Sequence, residues 1–324
     1  MRAAIYNRYG PPDVVHITDV EEPAPKEHEA LIKVRAASIN PLDWHFMRGT
    51  PYFVRLMTGL RNPRVTRLGV DVAGQVQAVG RNVTEFRSGD EVFGTCRGAL
   101  ADYACASESA LVMKPENVTF EQAASVPLAA FTALQGLRDK GQIQAGQKVL
   151  INGAAGGVGT FAVQIAKWFG ADVTGVCSTR NLEMVRNIGA DRVVDYTRED
   201  FTTSGQRYDL IFDLVGNHSL SAFRRVLKPR GIYIGAGGGG PELHSLDVLA
   251  SLIKTILLSM FVSEKLVSLL ARANKKDLTT IYELIKGGTV TPVIDQRFPL
   301  SEVPEAIRYL EQGHARGKVV ITLE

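Results

Sequence analysis

A chain of 324 residues is long for one hydrophobic core and suits two domains. Hydrophobic residues at 45% and charged residues at 22% exclude a disordered or fibrous protein. Thirty-seven basic residues against 34 acidic leave a net charge of only +3, and Arg316 and Lys318 near the C-terminus are only a small local cluster, which gives little reason to expect a nucleic-acid partner.

The opening "MRAAIYNRYG" runs straight into polar sequence and lacks the apolar core of a signal peptide. Cys96, Cys105 and Cys177 form no paired framework, which fits a reducing compartment, so the expected location is cytoplasmic. Up to about residue 120 the chain reads as short strands and turns, among them "AAIY", "ALIKVRAA", "GVDVAGQVQAVG", "DEVFG", "DYACA" and "ALVMKP". That texture predicts an irregular, mostly antiparallel β domain. Within it, Tyr52, Phe53, Leu56 and Met57 make an apolar patch, readable as a lid over a hydrophobic substrate or as a short helix packed on the β domain. Between Phe120 and Arg138 the pattern turns helical, with Pro127 ending or kinking one stretch.

From Gln147 the rhythm becomes strand, helix, strand. "KVLIN" is a compact apolar strand, followed by "VGTFAVQIAKWFG", an amphipathic helix with Val158, Phe161, Ala162, Ile165 and Trp168 on one face and Gly170 as its stop. "DVTGVC", "DRVVDY", "YDLIFDLVG" and "GIYIGAG" then follow at the spacing of parallel strands. Repeated βα units with nearly all-apolar strands predict a parallel sheet covered on both faces. "LDVLASLIKTILLSMFV" is interrupted by Asp247 and Lys254 and is too short for a membrane span, so a core or subunit interface is expected there. The tail "GKVVITL" is a further strand that could rejoin the first domain.

"INGAAGGVGT" places four glycines and two alanines between the strand "KVLIN" and the amphipathic helix. In a dinucleotide fold, glycine is needed there because a Cβ would block the tight turn or the approach of a pyrophosphate. N–H groups of the first helical turn then supply donors and the positive end of the helix dipole. Ala155, Gly156, Gly157, Val158 and Gly159 are the expected grip, with Ala154 where the simplest fingerprint has its first glycine; the alternative is a bare packing turn. The next strand ends in "CSTRN" without a carboxylate. Ser178 and Thr179 can donate hydrogen bonds and Arg180 can face a 2′-phosphate, which favours NADPH over NADH; alternatively Arg180 faces only solvent.

Taken together, "INPLDWHFMRG", "GVDVAGQVQAVGRNVTEFRSGDEVFG", "AASVPLAAFTALQGL", "GAAGGVG", "GADRVVDY", "FDLVG" and "ARGKVVITL" resemble the medium-chain dehydrogenase/reductase superfamily, in its zinc-independent quinone oxidoreductase branch, over essentially the whole chain. The resemblance implies an α/β protein with a GroES-like, mostly β catalytic domain over residues 1–122, a Rossmann cofactor domain over 123–292, and a C-terminal return over 293–324. Zinc-dependent relatives carry a catalytic cysteine where this chain has Asn40, and a His-Glu pair where Val70 and Asp71 follow Gly69. Cys96 and Cys105 lack zinc-knuckle spacing, so no metal is expected, although Asp43 and His45 could join a third ligand.

The same resemblance implies that Asn40 and Thr132 line the active-site cleft, that Tyr196 lies near the adenosine phosphate, that Gly216 borders the ribose, and that Lys318 returns close to the cofactor. Each has a plainer alternative: capping for Asn40 and Thr132, strand-end packing for Tyr196, a turn for Gly216. The expected activity is NADPH-dependent reduction of a quinone or α,β-unsaturated carbonyl, since such acceptors spread negative charge onto an oxygen that neutral donors can stabilise. Water, Asp43, His45 and Tyr52 are open candidates for proton delivery. A specific enoyl thioester or aldehyde, or a nucleotide-dependent sensor without chemistry, stands as the alternative, and similarity to dimeric reductases implies a homodimer.

Overall fold

The computed structural model describes residues 1–237 and 263–324, and the apolar 246–262 stretch lies outside them. Their contacts divide into two units. The first comprises Met1–Leu128, Ala273–Gly288 and Pro292–Glu324; the second comprises Ala129–Arg272 and Thr289–Thr291.

The first unit is built on β3 (Glu29–Ile39), which pairs antiparallel with β4 (Asp71–Val79). The full sheet order is β14 (Ile294–Pro299), β15 (Lys318–Thr322), β3, β4, β5 (Glu91–Thr95), β7 (Leu111–Met113), with β6 (Tyr103–Ser107) also on β3. Here the tail does return: Val319 lies opposite Ile39 and Ile321 opposite Ala37. Ile32 and Val34, two apart on β3, and Ile39, beyond the register shift between Val34 and Ala36, lie in a core with Val72, Val76, Val92, Leu111 and Ile321. Helix α1 (Pro41–Arg48) leaves the end of β3 directly, with Pro at its first position and Gly49 in the left-handed region at its end.

The predicted 123–292 span is divided differently by its contacts. Helix α8 (Lys275–Lys286) belongs with the β sheet: Lys275 Nζ donates to Leu111 O at 2.6 Å and to Glu85 at 2.7 Å, and Asn117 donates to Ile285 O at 3.0 Å. Residues 289–291 return to the second unit, where the Gln164 amide brackets Thr291 N–H and C=O at 2.7 and 3.0 Å.

The second unit is a six-stranded parallel sheet in the order β10 (Arg192–Asp195), β9 (Asp172–Cys177), β8 (Lys148–Asn152), β11 (Tyr208–Asp213), β12 (Leu227–Gly235), β13 (Lys265–Ser268). The chain reverses direction of growth between β8 and β11, the position where such sheets open a crevice at their C-terminal edge. Val149, Leu150 and Ile151 of the central strand are fully buried, as an all-apolar strand covered on both faces requires. Helix α5 (Gly157–Trp168) buries Phe161, Ala162 and Ile165 completely, but Trp168 is 45% exposed beside Phe169. The expected apolar face therefore stops one turn short of the helix end.

Candidate active site

In the first unit, the junction of β3 and α1 assembles a buried polar cluster. Ser38, Asn40, Asp43, Asp71 and Lys318 are each at most 4% exposed. Asp71 is its hub. One carboxylate oxygen accepts from Ser38 Oγ at 2.8 Å and Asn40 Nδ2 at 2.9 Å; the other accepts from Leu128 N–H at 3.0 Å. Lys318 Nζ donates to Asn40 Oδ1 at 2.5 Å and lies 3.6 Å from Asp71. Both ends of the Asn40 amide are thus held, one by a cation and one by an anion, so its orientation is fixed rather than averaged.

Burial works against the charge of Lys318 and lowers its pKa, with Asp71 and Asp43 opposing that shift. Asp43, the third residue of α1, spends both oxygens on backbone: it accepts from Asn40 N–H at 2.8 Å and Gly69 N–H at 2.9 Å. Burial outweighs these two donors and pushes its pKa up to about 6. Asp43 is therefore a clamp between the start of α1 and the approach to β4. The neighbouring His45 is engaged through Nδ1 with Thr50 O at 2.7 Å, and burial lowers its pKa. Tyr52, by contrast, is 61% exposed, with the Arg55 guanidinium 4.8 Å over its ring. The apolar patch around it is a short helix, α2 (Val54–Thr58), that turns Val54 and Thr58 inward.

The second unit carries the glycine turn at the C-terminal end of β8. Its tight turn begins one residue earlier than the fingerprint placed on Ala154: Gly153 has φ +89°, a conformation that other residues rarely adopt. Gly156 precedes α5, and the N–H groups of Gly157, Val158 and Gly159 come before the first intrahelical bond, Thr160 N to Gly156 O at 3.0 Å. Gly156 and Gly159 differ in kind. A Cβ at Gly159 would stand 2.1 Å from Gly153 O, so that glycine serves helix-to-turn packing. Among the described residues, a Cβ at Gly156 would meet only Gly153 O at 3.4 Å, an ordinary contact, so they leave room there. The side of the turn at Gly156, next to helix N–H donors that make no backbone bond among the described residues, is a cradle that suits a diphosphate. Ala155 is buried within the same turn.

Around this turn, the C-terminal strand ends are held by Asp213. It accepts from Asn152 Nδ2 at 2.8 Å, from Tyr233 Oη at 2.8 Å, and from the N–H groups of Val215 and Gly216 at 3.1 and 3.0 Å. Gly216 has φ +71°, so it does make the turn that ends this strand. Burial beside this carboxylate raises the Tyr233 pKa.

At the end of β9, Thr179 and Arg180 are exposed and Ser178 is half-buried, its Oγ accepting from Asn181 at 3.1 Å. The sequence reading found no acid there, but register supplies one. Cys177 lies opposite Asp195 of β10, and Thr179 Oγ1 donates to Asp195 at 2.5 Å. Thr197 adds its N–H at 3.0 Å and its hydroxyl at 2.7 Å, and Arg198 Nε lies at 3.5 Å. These hydrogen bonds, that from Thr179 first, lower the Asp195 pKa. Tyr196, beside it, is 50% exposed. Thr132 is half-buried in α4 (Pro127–Gln135), assigned to this second unit.

Sequence reasoning thus missed Asp71, Gly153 and Asp195 as site residues. Each sits inside a quoted motif, and only pairing register or a backbone dihedral reveals its role. Among the described residues, no group of three or more His, Cys, Asp or Glu side chains is placed to hold a metal. Where zinc-dependent relatives have cysteine, Asn40 faces the ammonium of Lys318, a poor neighbour for a cation.

Two family models match the chain: "Alcohol dehydrogenase GroES-like domain" over residues 26–116 and "Zinc-binding dehydrogenase" over residues 188–321. The chain is 34% identical to an NADPH-dependent alkenal/one oxidoreductase of Arabidopsis thaliana, covering 99% of this chain and 79% of that protein. It is also 34% identical to a 2-methylene-furan-3-one reductase of Solanum lycopersicum, with the same coverage. The solved structure of a quinone oxidoreductase from Coxiella burnetii superposes with a TM-score of 0.85 at 31% identity, over 100% of this chain and 99% of that one.

Proposed function

This chain belongs to the quinone-oxidoreductase-like branch of the medium-chain dehydrogenase/reductase superfamily, and from that premise we propose that it uses NADPH to reduce a quinone or α,β-unsaturated carbonyl. It is an NAD(P)H-dependent oxidoreductase of the quinone-reductase, zinc-independent type. The observation that carries the reading is the Gly153–Gly159 turn at the C-terminal edge of the parallel sheet, with its open side at Gly156. Its N–H groups would hold the diphosphate, and the bound nucleotide supplies the hydride chemistry.

Preference for NADPH is supported by exposed Arg180 beside Ser178 and Thr179. Asp195 does not undo it, because its charge is taken up by Thr179, Thr197 and Arg198. In the first unit, Asn40 is a neutral donor held in one orientation by Asp71 and Lys318, suited to a carbonyl oxygen that gains negative charge. Asp43, which accepts from Asn40 N–H, positions Asn40. An acceptor that delocalises charge needs no more than such donors, and the enone-directed names of the Arabidopsis and tomato relatives point to the same class. We place the enzyme in the cytoplasm as a homodimer.

The test is steady-state oxidation of NADPH and NADH with a panel of quinones, alkenals and enoyl thioesters. Turnover with NADPH and a quinone or enone is expected. Tight NADPH binding without turnover on any member would reject the reading in favour of a sensor.

A further inference from the structure

Five of the eleven exposed large hydrophobic side chains among the described residues fall within positions 52–60: Tyr52, Phe53, Leu56, Met57 and Leu60. Their exposure is built into the fold. Val54 and Thr58, one turn apart on α2, are buried, and Thr58 Oγ1 is bonded to Val54 O at 3.0 Å and to Tyr9 Oη at 2.8 Å. Tyr9 Oη also donates to Gly59 O at 2.5 Å, and Arg55 donates to Gly49 O at 3.0 Å while its guanidinium lies 4.6 Å over the Tyr9 ring. Tied from within, the segment turns Leu56, Met57 and Leu60 outward at 75%, 78% and 67% exposure. An ordinary surface helix has its apolar face inward and its polar face outward; here the outward face is apolar, and clustered exposure of this kind marks an interaction site.

The charge around it has one sign. No Asp or Glu occurs between Asp43 and Asp71, whereas Arg48, Arg55, Arg61, Arg64 and Arg67 do. Arg48 is spent on Glu311 and Arg55 on the tyrosines, but Arg61 and Arg64 are exposed and make no ion pair among the described residues. Aliphatic and aromatic side chains projecting beside uncompensated arginines match the acyl boundary and headgroups of an anionic bilayer.

We infer that residues 52–64 form a membrane-surface contact that inserts Phe53, Leu56, Met57 and Leu60 at the interface of an anionic lipid bilayer, with Arg61 and Arg64 on the headgroups. This contact is independent of the reading of the reaction. It is tested by flotation of the full chain with vesicles of equal parts phosphatidylglycerol and phosphatidylcholine, and with phosphatidylcholine alone. Binding to the mixed vesicles only, weakened by salt, is expected. Arg61→Glu with Arg64→Glu should weaken it by at least about tenfold, each arginine carrying about fivefold, and Leu56→Ser with Met57→Ser should do likewise. Thermal unfolding and NADPH binding check that the variants fold. Failure to bind mixed vesicles, equal binding to phosphatidylcholine alone, or insensitivity to either variant overturns the inference. A self-associated species that Leu56→Ser with Met57→Ser dissociates, without vesicle binding, assigns the face to a second copy and overturns it too.

Discussion

Two acid–base clusters, one in each unit, use the same chemistry for different ends. Asp71 and Lys318 lie in the β unit at 0% and 4% side-chain exposure, bonded through Asn40 and Ser38. Asp195 and Arg198 lie at the edge of the parallel sheet, where the Arg198 side chain is 74% exposed. Deep burial makes every member of the first cluster dependent on the others, because a lone charge left there has no water to turn to. At the sheet edge Asp195 is itself only 7% exposed and held by Thr179 and Thr197, but its partner Arg198 lies in solvent, which screens the pair. Rigid orientation of Asn40 and adjustable recognition at the end of β9 are the two outcomes.

The largest effect should come from breaking the buried pair. Lys318→Met leaves Asp71 charged and buried, and is expected to cost about 3–5 kcal/mol of stability by urea denaturation; a loss below about 1 kcal/mol would show that the pair is not the constraint claimed. Asp43 gives the next effect, through pH. Its folded pKa of about 6 exceeds the ordinary 3.8, so folding favours its protonated form. That contribution is complete below about pH 4 and is lost as pH rises through 6, an amount on the order of 2–3 kcal/mol. Asp43→Asn should flatten the stability profile between pH 4 and 6, and an unchanged profile would refute the assignment.

Smaller effects belong to the sheet edge. Arg180→Glu should raise the KM for NADPH by about tenfold or more, since repulsion of a 2′-phosphate by ~1.4 kcal/mol is tenfold, and should leave the KM for NADH within about twofold. Equal changes in both would remove Arg180 from the phosphate. Least of all, Arg198→Ala should leave the midpoint of thermal unfolding unchanged within error, in contrast to Lys318→Met. A large shift would erase the distinction between the two clusters.

What could be read from the sequence follows the range of the interactions involved. The βα repeats, the strand before the glycines and the helix after them are local patterns, and all reappear in the parallel sheet and α5. The return of "GKVVITL" was legible as a strand, although its pairing with β3 is non-local. Asp71 and Asp195 escaped because nothing in their local sequence records what lies opposite: β-register brings Asp195 beside Cys177, and the turn after β3 brings Asn40 to Asp71. Gly153 escapes because fingerprint spacing puts the first glycine position on Ala154, whereas the positive φ falls one residue earlier. Local order along the chain groups helix α8 with its sequence neighbours, but the long reach of Lys275 to Leu111 O and Glu85 ties it to the β unit.

The central claim is that the turn before α5 grips a dinucleotide, and Gly156 isolates it from packing. Because, among the described residues, a Cβ there meets only Gly153 O at 3.4 Å, Gly156→Ala should cost less than about 1 kcal/mol of stability, the scale of a weakened N-cap. The decisive measurement is the NADPH dissociation constant of Gly156→Ala against the unaltered protein, by fluorescence titration. A loss of affinity of about tenfold or more in a protein of near-normal stability is the expected result; undiminished NADPH affinity would contradict the account.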